Sequence, residues 1–308
     1  MTIGEFLTIY ERNHVAFLKN SLGTSRRLQK YVGRLGHLEL ADVKRLQVIE
    51  WFHAIAKTDG PQGANLALQQ LHALYVKASD WEIYEGKNPA SRIKKFPKHS
   101  RERFLQTNEM PYVLASVGES NLRDQGYFLT LILTGCRRDE ARLMQWTHVD
   151  LERGLWHKPT TKTGVPHTVP IPARLLDLFK RFPRVNEWVF PSSPNNKNNQ
   201  QSGHWSVTSV EHAWRKIRAR VGLKDVRIHD LRRTAASWLA IDGANLPVIQ
   251  RVLNHSSLTS TQVYARLSIE PVRQALDQQA ERILGTIAPP PALLPKVDPM
   301  EPAQEWPG

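Results

Sequence analysis

Apolar side chains recur through residues 1–91 at the three- and four-residue spacing of amphipathic helices, with polar turns between the apolar segments. In one segment Ile49, Phe52 and Ile55 share a helix face, and an Asp-Gly-Pro turn at 59–61 ends the pattern. Short helices joined by polar turns indicate a small helical bundle. Four helices are predicted, at residues 2–20, 25–35, 48–57 and 64–78.

The second half of the chain mixes two periodicities. Short alternating runs typical of strands lie between helical segments, and Thr163-Gly164 is predicted to form a tight turn between the last two strands. This pattern predicts a mainly α fold with a small antiparallel β-sheet, an α+β class. The predicted strands are 155–157, 160–162 and 167–171. The predicted helices are 127–134, 138–146, 173–182, 207–221, 230–242, 247–253, 260–267 and 270–284.

Composition between these blocks suggests where the domains end. A basic stretch with few apolar residues separates the helical bundle from the mixed region, and the C-terminal end is rich in proline. The predicted organisation is a helical domain at 1–91, a basic interdomain linker at 92–103, a second domain at 104–286 and a disordered tail at 287–308.

The charge balance points to a polyanionic partner. Lys and Arg total 42 against 29 Asp and Glu, a net charge of +13, and double-stranded DNA is the partner that we expect for such a chain. Cys136 is the single cysteine, which excludes an intramolecular disulfide and a Cys-rich zinc site. The sequence has neither an apolar run long enough to span a membrane nor a signal-peptide pattern, so a reducing, cytoplasmic location is expected.

Part of the positive charge is concentrated in the predicted linker. Such a stretch is either a solvated tether or a strap along a phosphate backbone, where each cation that contacts a phosphate releases counterions. We favour the strap because of the candidate chemistry in the domain that follows. The candidate DNA-binding residues are Arg92, Lys94, Lys95, Lys98, Arg101 and Arg103.

A candidate phosphate site lies in the segment His-Asp-Leu-Arg. His229 and Arg232 are three residues apart and therefore share a face if the segment is helical. Asp230 is predicted to be the helix N-cap, which would place His229 at the helix N-terminus, where anions are favoured. A planar guanidinium can bond two phosphate oxygens at once. Taken alone, the segment fits a solvated surface helix equally well.

Four further segments contain side chains that could take part in phosphate chemistry. Arg137 follows an apolar helix, and Glu140 three residues later can hold its guanidinium. Lys162 lies at a predicted hairpin tip, His255 ends a helix, and Tyr264 lies in a predicted amphipathic helix. Each has a plain structural alternative: an ion pair, a solvated lysine, a helix-dipole contact and a half-buried packing residue.

The order of these segments along the chain is a more specific indication of function than any one segment alone. It resembles the tyrosine recombinases of the phage integrase type. The resemblance spans about residues 104–284 for the catalytic domain, and the helical region 1–91 resembles the core-binding domain of that family. It implies a site-specific DNA recombinase that cleaves and rejoins strands through a 3′-phosphotyrosyl intermediate, without metal, cofactor or ATP. The matching residues are Arg137, Lys162, His229, Arg232, His255 and Tyr264.

The resemblance also implies how the phosphate is held. Arg137 and Arg232 would bind the non-bridging oxygens of the scissile phosphate, and Glu140 would orient Arg137. His229 and His255 would complete the pocket, with His229 as the acceptor of the tyrosine proton.

The remaining implied roles concern the bonds that form and break. Tyr264 would attack phosphorus, and Lys162 would protonate the departing 5′ oxygen. The family implies a homo-oligomer on DNA, a tetramer when two sites recombine. One departure is Asn254, which stands where the family often has glycine before the second histidine.

Three other functions remain open on the sequence alone. A type IB topoisomerase-like relaxase shares the tyrosine chemistry, although the helix at 270–284 resembles the segment by which recombinases dock onto a neighbouring protomer. An ordinary packed C-terminal helix explains that segment equally well. A non-catalytic DNA-binding protein needs the charge but not the catalytic residues. A metal nuclease could use His229, Asp230 and His255 but lacks a further carboxylate cluster.

Overall fold

The computed structural model describes residues 1–98, 101–161, 164–192, 203–267 and 269–285. The predicted tail, Lys162 and Thr163 lie outside the described residues. The chain divides into two compact units, Met1–Arg101 and Glu102–Gly308. In the described part of the chain, no helix is long and apolar enough to cross a membrane.

The first unit consists of helices, as the hydrophobic spacing predicts. Thr2 and Glu5 form a capping box at the start of the first helix: the Thr2 hydroxyl accepts the Glu5 N–H, and the Glu5 carboxylate accepts the Thr2 N–H. This helix ends at Asn13 instead of near residue 20, because a 3-10 turn follows. The elements are α1 Ile3–Asn13, 3-10 Val15–Phe17, α2 Ser21–Tyr31, 3-10 Val32–Leu35 and α3 Arg45–Asp80.

A sharp break divides α3 at the predicted stop. Gly60 has φ 77° and ψ 168°, and Pro61 follows it. A side chain at this φ would be strained, and the proline cannot supply a helical N–H. The two predicted helices at 48–57 and 64–78 therefore exist on either side of one break.

The first half of the predicted linker packs against the helical unit. The Asn65 side-chain amide donates to the Phe96 carbonyl and accepts the Phe96 N–H, both at 2.9 Å. The Phe96 ring stacks on Phe52 with centroids 4.8 Å apart, and Arg45 donates to the Arg92 carbonyl at 2.7 Å. Composition alone missed this docking, because one aromatic side chain and one amide anchor an otherwise polar stretch.

The second unit confirms the α+β class, with helices surrounding a small sheet. Tyr127 and Phe128 on one helix, and Trp156 on a strand, are fully buried in its core. The segment that carries Tyr264 is a 3-10 helix, not the α-helix that its spacing predicted. The α-helices are α4 Met110–Gly118, α5 Leu122–Thr134, α6 Arg138–Arg142, α7 Ala173–Lys180, α8 Val207–Arg220, α9 Ile228–Ile241, α10 Leu246–Leu253 and α11 Ile269–Gly285. The 3-10 helices are Trp146–His148, Leu258–Ser260 and Gln262–Leu267.

The sheet has three antiparallel strands in the order β1-β2-β3. They are β1 Val149–Asp150, β2 Leu155–Lys158 and β3 His167–Pro170. The strand predicted at 160–162 is wrong for residues 160–161, because β2 pairs directly with β3 and Pro159 follows β2 without an N–H for the ladder. β1, which has only two residues, was not predicted.

Candidate active site

Two of the predicted site residues lie in the first turns of α9. The helix begins one turn earlier than predicted: Arg227 is its N-cap, and the Asp230 carboxylate accepts the Arg227 N–H at 2.8 Å. Asp230 is therefore not the N-cap, and His229 lies in the first turn as expected. The pKa of His229 is lowered by partial burial and by the charges of Arg233 and Arg232.

Arg232 is held inside the protein by two backbone carbonyls. It is 5% exposed, and its guanidinium donates to Gly135 at 2.7 Å and to Leu253 at 2.5 Å. Burial and the nearby charge of Arg137 lower its pKa to about 10, so it stays protonated at neutral pH. The side chain thus joins the end of α5 to the end of α10 and remains a fixed positive charge.

Gly135 explains why α5, α9 and α10 can meet at this point. It ends α5 with φ 61°, a conformation that favours glycine. A Cβ there would lie 2.9 Å from Leu253 and 3.2 Å from Ala235. The Thr-Gly-Cys-Arg segment therefore positions Arg137 by close packing at its glycine.

Arg137 lies at the start of α6 and is paired as its spacing predicts. Its guanidinium donates to Glu140 Oε1 at 2.7 Å and to the Asn254 carbonyl at 3.4 Å. Burial alone would raise the pKa of Glu140, but the charge of Lys158 and the bond from Arg137 outweigh it and leave the pKa below its usual value. Glu140 is therefore an anion with two cationic neighbours.

His255 is oriented by a buried threonine. Asn254 ends α10 in the left-handed conformation, with φ 49°, and His255 Nδ1 lies 3.0 Å from the hydroxyl of Thr261. Burial, followed by the charges of Arg232 and Arg137, lowers the pKa of His255 to about 4. The imidazole is therefore neutral at pH 7, and the Thr261 hydroxyl orients its ring.

Tyr264 is 8% exposed and packs against a small apolar cluster that includes Ala236, Ile249 and Leu253. Burial raises the pKa of its phenol, and the charges of Arg232 and Arg233 only partly oppose this shift. The phenol is therefore protonated at neutral pH, and a reaction at its oxygen needs a proton acceptor.

Five of the six predicted catalytic residues come together in the second unit. The charges of Arg137 and Arg232 lower the pKa of both His229 and His255. The charge of Arg232 also opposes the rise in the pKa of Tyr264. A cavity of about 800 Å³, lined by Arg137, Glu140 and His229 among others, opens beside them. The sixth residue, Lys162, lies outside the described residues.

Lys158 and Thr261 were not predicted, although both contact predicted site residues. Lys158 donates to Glu140 at 3.0 Å and is 5% exposed, and Thr261 is fully buried beside His255. The alternation of β2 could have indicated Lys158, since it shares a sheet face with the buried Trp156. We find no local signal that could have indicated Thr261.

The predicted DNA-binding residues fall into two groups. Arg103 forms ion pairs with Glu109 at 2.6 Å and Asp225 at 2.7 Å. Its positive charge is therefore compensated by carboxylates of the second unit. Arg101 is partly buried. The exposed cations are Arg92, Lys94, Lys95 and Lys98.

The metal-nuclease alternative requires a cluster of ligands. Within the described ranges, no group of three or more His, Cys, Asp or Glu residues could hold a metal ion. The neighbours of His229 and His255 that shift their pKa most strongly are arginines. Arginine guanidinium groups donate hydrogen bonds and do not act as metal ligands.

Comparison with known proteins places the chain in a family. The sequence model of the phage integrase family matches residues 103–270. This chain belongs to the phage integrase family. It is a site-specific tyrosine recombinase, an enzyme that cleaves and rejoins DNA strands, which confirms the class that the order of motifs implied.

Individual relatives of this integrase-family chain agree with the assignment. It is 28% identical to the tyrosine recombinase XerA of Thermococcus onnurineus over 223 residues, which are 72% of this chain and 77% of the relative. The fold matches the Tn1549 transposon integrase in complex with transposon right end DNA, with TM-score 0.73 and 18% identity over 91% of this chain and 100% of that one. It also matches a lambda integrase tetramer bound to a Holliday junction, with TM-score 0.68 and 17% identity over 84% of this chain and 79% of that one.

The contact between Thr261 and His255 leads to a first prediction. In Thr261→Val the side chain keeps its shape but loses the hydroxyl, so the imidazole loses the group that orients its ring. We expect covalent protein–DNA adduct formation to fall about 10- to 100-fold, as is typical when a partner that orients a reactive side chain is removed. We expect the ¹⁵N chemical shift of His255 Nδ1 to change, because that nitrogen loses its hydrogen-bond partner.

Two controls separate this effect from general damage. Thr261→Ser restores the hydroxyl and should recover most of the activity, whereas the exposed Thr259→Val should behave like the parent chain. Unchanged adduct formation in Thr261→Val would show that the hydroxyl does not position His255 for the reaction.

Proposed function

We propose that this recombinase breaks a DNA strand by attack of the Tyr264 oxygen on the scissile phosphorus. The P–O5′ bond breaks as the Tyr264–phosphorus bond forms, which leaves a 3′-phosphotyrosyl link and a free 5′ hydroxyl. Attack by a 5′ hydroxyl of a second duplex then reverses the step and joins the new strands. The ester energy is kept in the covalent intermediate, so the proposal requires neither ATP nor a metal.

Arg137 and Arg232 are proposed to bind the non-bridging phosphate oxygens. Phosphoryl transfer depends chiefly on positioning and on charge stabilisation. The support is that both guanidiniums are held by protein groups before DNA binds: Arg137 by Glu140 and Arg232 by two carbonyls. Charges fixed in advance need little reorganisation in the transition state.

Proton transfers are assigned to the neighbouring basic groups. His229 is proposed to accept the Tyr264 proton, because its lowered pKa leaves the imidazole neutral at pH 7. His255 is neutral as well and is proposed to donate a hydrogen bond to the phosphate. Lys162, on the segment between β2 and β3, is proposed to protonate the 5′ oxygen.

The substrate is proposed to be double-stranded DNA carrying a recombination site, bound by a homo-oligomer that becomes a tetramer when two sites exchange strands. The net charge of +13 supports a DNA substrate.

The unit Met1–Arg101 is proposed as the core-binding domain, with the exposed cations of residues 92–98 along the DNA backbone. Val272, Leu276 and Ile283 on α11 are 56–58% exposed, which supports docking of this helix onto a neighbouring protomer. Action on cellular DNA would place the protein in the cytoplasm.

The single observation that carries the proposal is that a buried phenol lies near a buried guanidinium. The charge of Arg232 affects the pKa of Tyr264, and each of the two side chains is less than a tenth exposed. A purely structural tyrosine has no need of a buried arginine nearby that two backbone carbonyls hold in place.

Trapping of the covalent intermediate tests the proposal. When a duplex with a nick near the cleavage site is cut, the short fragment that carries the new 5′ hydroxyl dissociates. Cleavage then cannot reverse, and the adduct accumulates. We expect an adduct whose DNA-linked peptide contains Tyr264 and whose yield is unchanged by EDTA. An adduct at another residue, or one that requires a divalent metal, would overturn the proposal.

A further inference from the structure

A second lysine is buried beside the proposed phosphate site. Lys158 on β2 is 5% exposed, and its Nζ lies 3.0 Å from Glu140 Oε2 and 4.9 Å from the centroid of the Trp156 ring. Burial of an ammonium group is strongly unfavourable unless a partner compensates for it. None of the roles assigned so far uses this charge.

Glu140 divides its carboxylate between two cations. Its Oε1 accepts from the Arg137 guanidinium at 2.7 Å, while its Oε2 accepts from Lys158 at 3.0 Å and from the Arg137 N–H at 3.2 Å. The carboxylate is nearly buried, with a side chain 12% exposed. A carboxylate bonded on both oxygens cannot rotate freely, and a shared negative charge cannot fully neutralise either partner.

The geometry points to Lys158 as a positioning residue of the recombinase: it fixes Glu140 so that Arg137 keeps both its orientation and its charge for the scissile phosphate. This inference rests on the proposed role of Arg137. Without Lys158, the whole charge of Glu140 would act on Arg137 and compete with the phosphate for it. The net charge of Lys158, Glu140 and Arg137 would also fall from +1 to 0.

Lys158 differs in this respect from the lysine that is expected to donate a proton. Its ammonium is directed at a carboxylate and is nearly closed off from solvent. It belongs to the paired part of β2, in register with His167. A leaving-group acid must instead reach the 5′ oxygen of DNA bound outside the protein. The inference therefore assigns the two lysines separate tasks.

The test compares two duplexes that differ in one atom. In the second, the 5′-bridging oxygen at the cleavage site is replaced by sulfur, and a thiolate leaves without protonation. We expect Lys158→Met to slow adduct formation about 10- to 100-fold on both duplexes. Lys162→Ala should be slow on the oxygen duplex and recover on the sulfur duplex. Lys180→Met, which removes an exposed lysine with a side chain 55% exposed, is the matched charge control and should behave like the parent chain.

A double-mutant cycle keeps the test valid if Lys158→Met is unstable. The single substitution would leave Glu140 buried with one partner fewer, whereas Lys158→Met combined with Glu140→Gln removes both charges and avoids that cost. If Lys158 acts through Glu140, Lys158→Met should cause less than a twofold further loss in the Glu140→Gln background. Equal losses in both backgrounds would show that Lys158 acts on DNA directly.

The possible outcomes distinguish this inference from the proposed function. Recovery of Lys158→Met on the sulfur duplex would make Lys158 the proton donor and overturn the positioning role, as would wild-type rates on both duplexes. The absence of an adduct from the parent chain on every duplex would overturn the proposed function instead. In that case ¹³C titration of the Glu140 carboxyl, without DNA, still tests the contact: its pKa should rise in Lys158→Met, and an unchanged pKa contradicts the inference.

Discussion

Tyr264→Phe should form no covalent adduct with DNA while it keeps the affinity of the parent chain for the same duplex. The substitution removes only the oxygen that attacks phosphorus, and the ring still fills the cluster around Ile249 and Leu253. Loss of a nucleophile lowers turnover by a factor on the order of 10⁴ or more. Adducts are measured on denaturing gels with a nicked duplex, and affinity by fluorescence anisotropy.

The control for this result is the same change at an exposed tyrosine. Tyr112 on α4 is 67% exposed, so Tyr112→Phe should leave both adduct formation and binding unchanged. The free energy of unfolding of Tyr264→Phe should stay within about 1 kcal/mol of the parent value, because the buried ring remains. A trapped adduct of normal yield from Tyr264→Phe would remove Tyr264 as the nucleophile.

Arg232→Lys should reduce cleavage far more than it reduces binding. A lysine keeps the positive charge but cannot bond the Gly135 and Leu253 carbonyls and still present a planar fork to phosphate. Loss of one preorganised donor to a developing charge typically costs ~10²- to 10³-fold in rate. DNA affinity should fall by less than about tenfold, since one phosphate contact of many is altered.

Arg232→Lys should also change stability, because Arg232 holds α5 and α10 together. A carbonyl that loses its donor inside the protein costs about 1–3 kcal/mol, which denaturant unfolding can detect. Arg153→Lys, at a side chain that is 80% exposed, should change neither cleavage nor stability. Equal losses of binding and cleavage in Arg232→Lys would make Arg232 an ordinary phosphate contact.

The geometry of the candidate site could be predicted from local sequence where the determining contacts are short-range. The Arg137–Glu140 pair spans three residues, the left-handed Asn254 precedes His255, and His229 lies in the first turn of its helix. Each depends on helical spacing or on a single backbone conformation, and spacing and backbone preference are visible in a sequence.

Errors arose where a competing contact, local at the start of α9 and longer-range elsewhere, outweighed the predicted pattern. The N-cap of α9 is Arg227, since Asp230 reaches back from inside the helix. Residues 160–161 of the strand expected at 160–162 do not form a strand, because β2 pairs directly with β3. Residues 92–97 looked like a linker, yet Phe96 docks on Phe52.

The amino-acid sequence by itself determined the family and the α+β class and supplied the candidate catalytic side chains, because these follow from residue types, their order and their periodicity. Only the tertiary structure decided that Arg232 is gripped by two carbonyls, that Thr261 holds His255, and that Lys158 shares Glu140 with Arg137. These contacts join segments that are six to 97 residues apart. Packing brings such segments together, and the spacing of side chains along one element does not reveal which other segments it will contact.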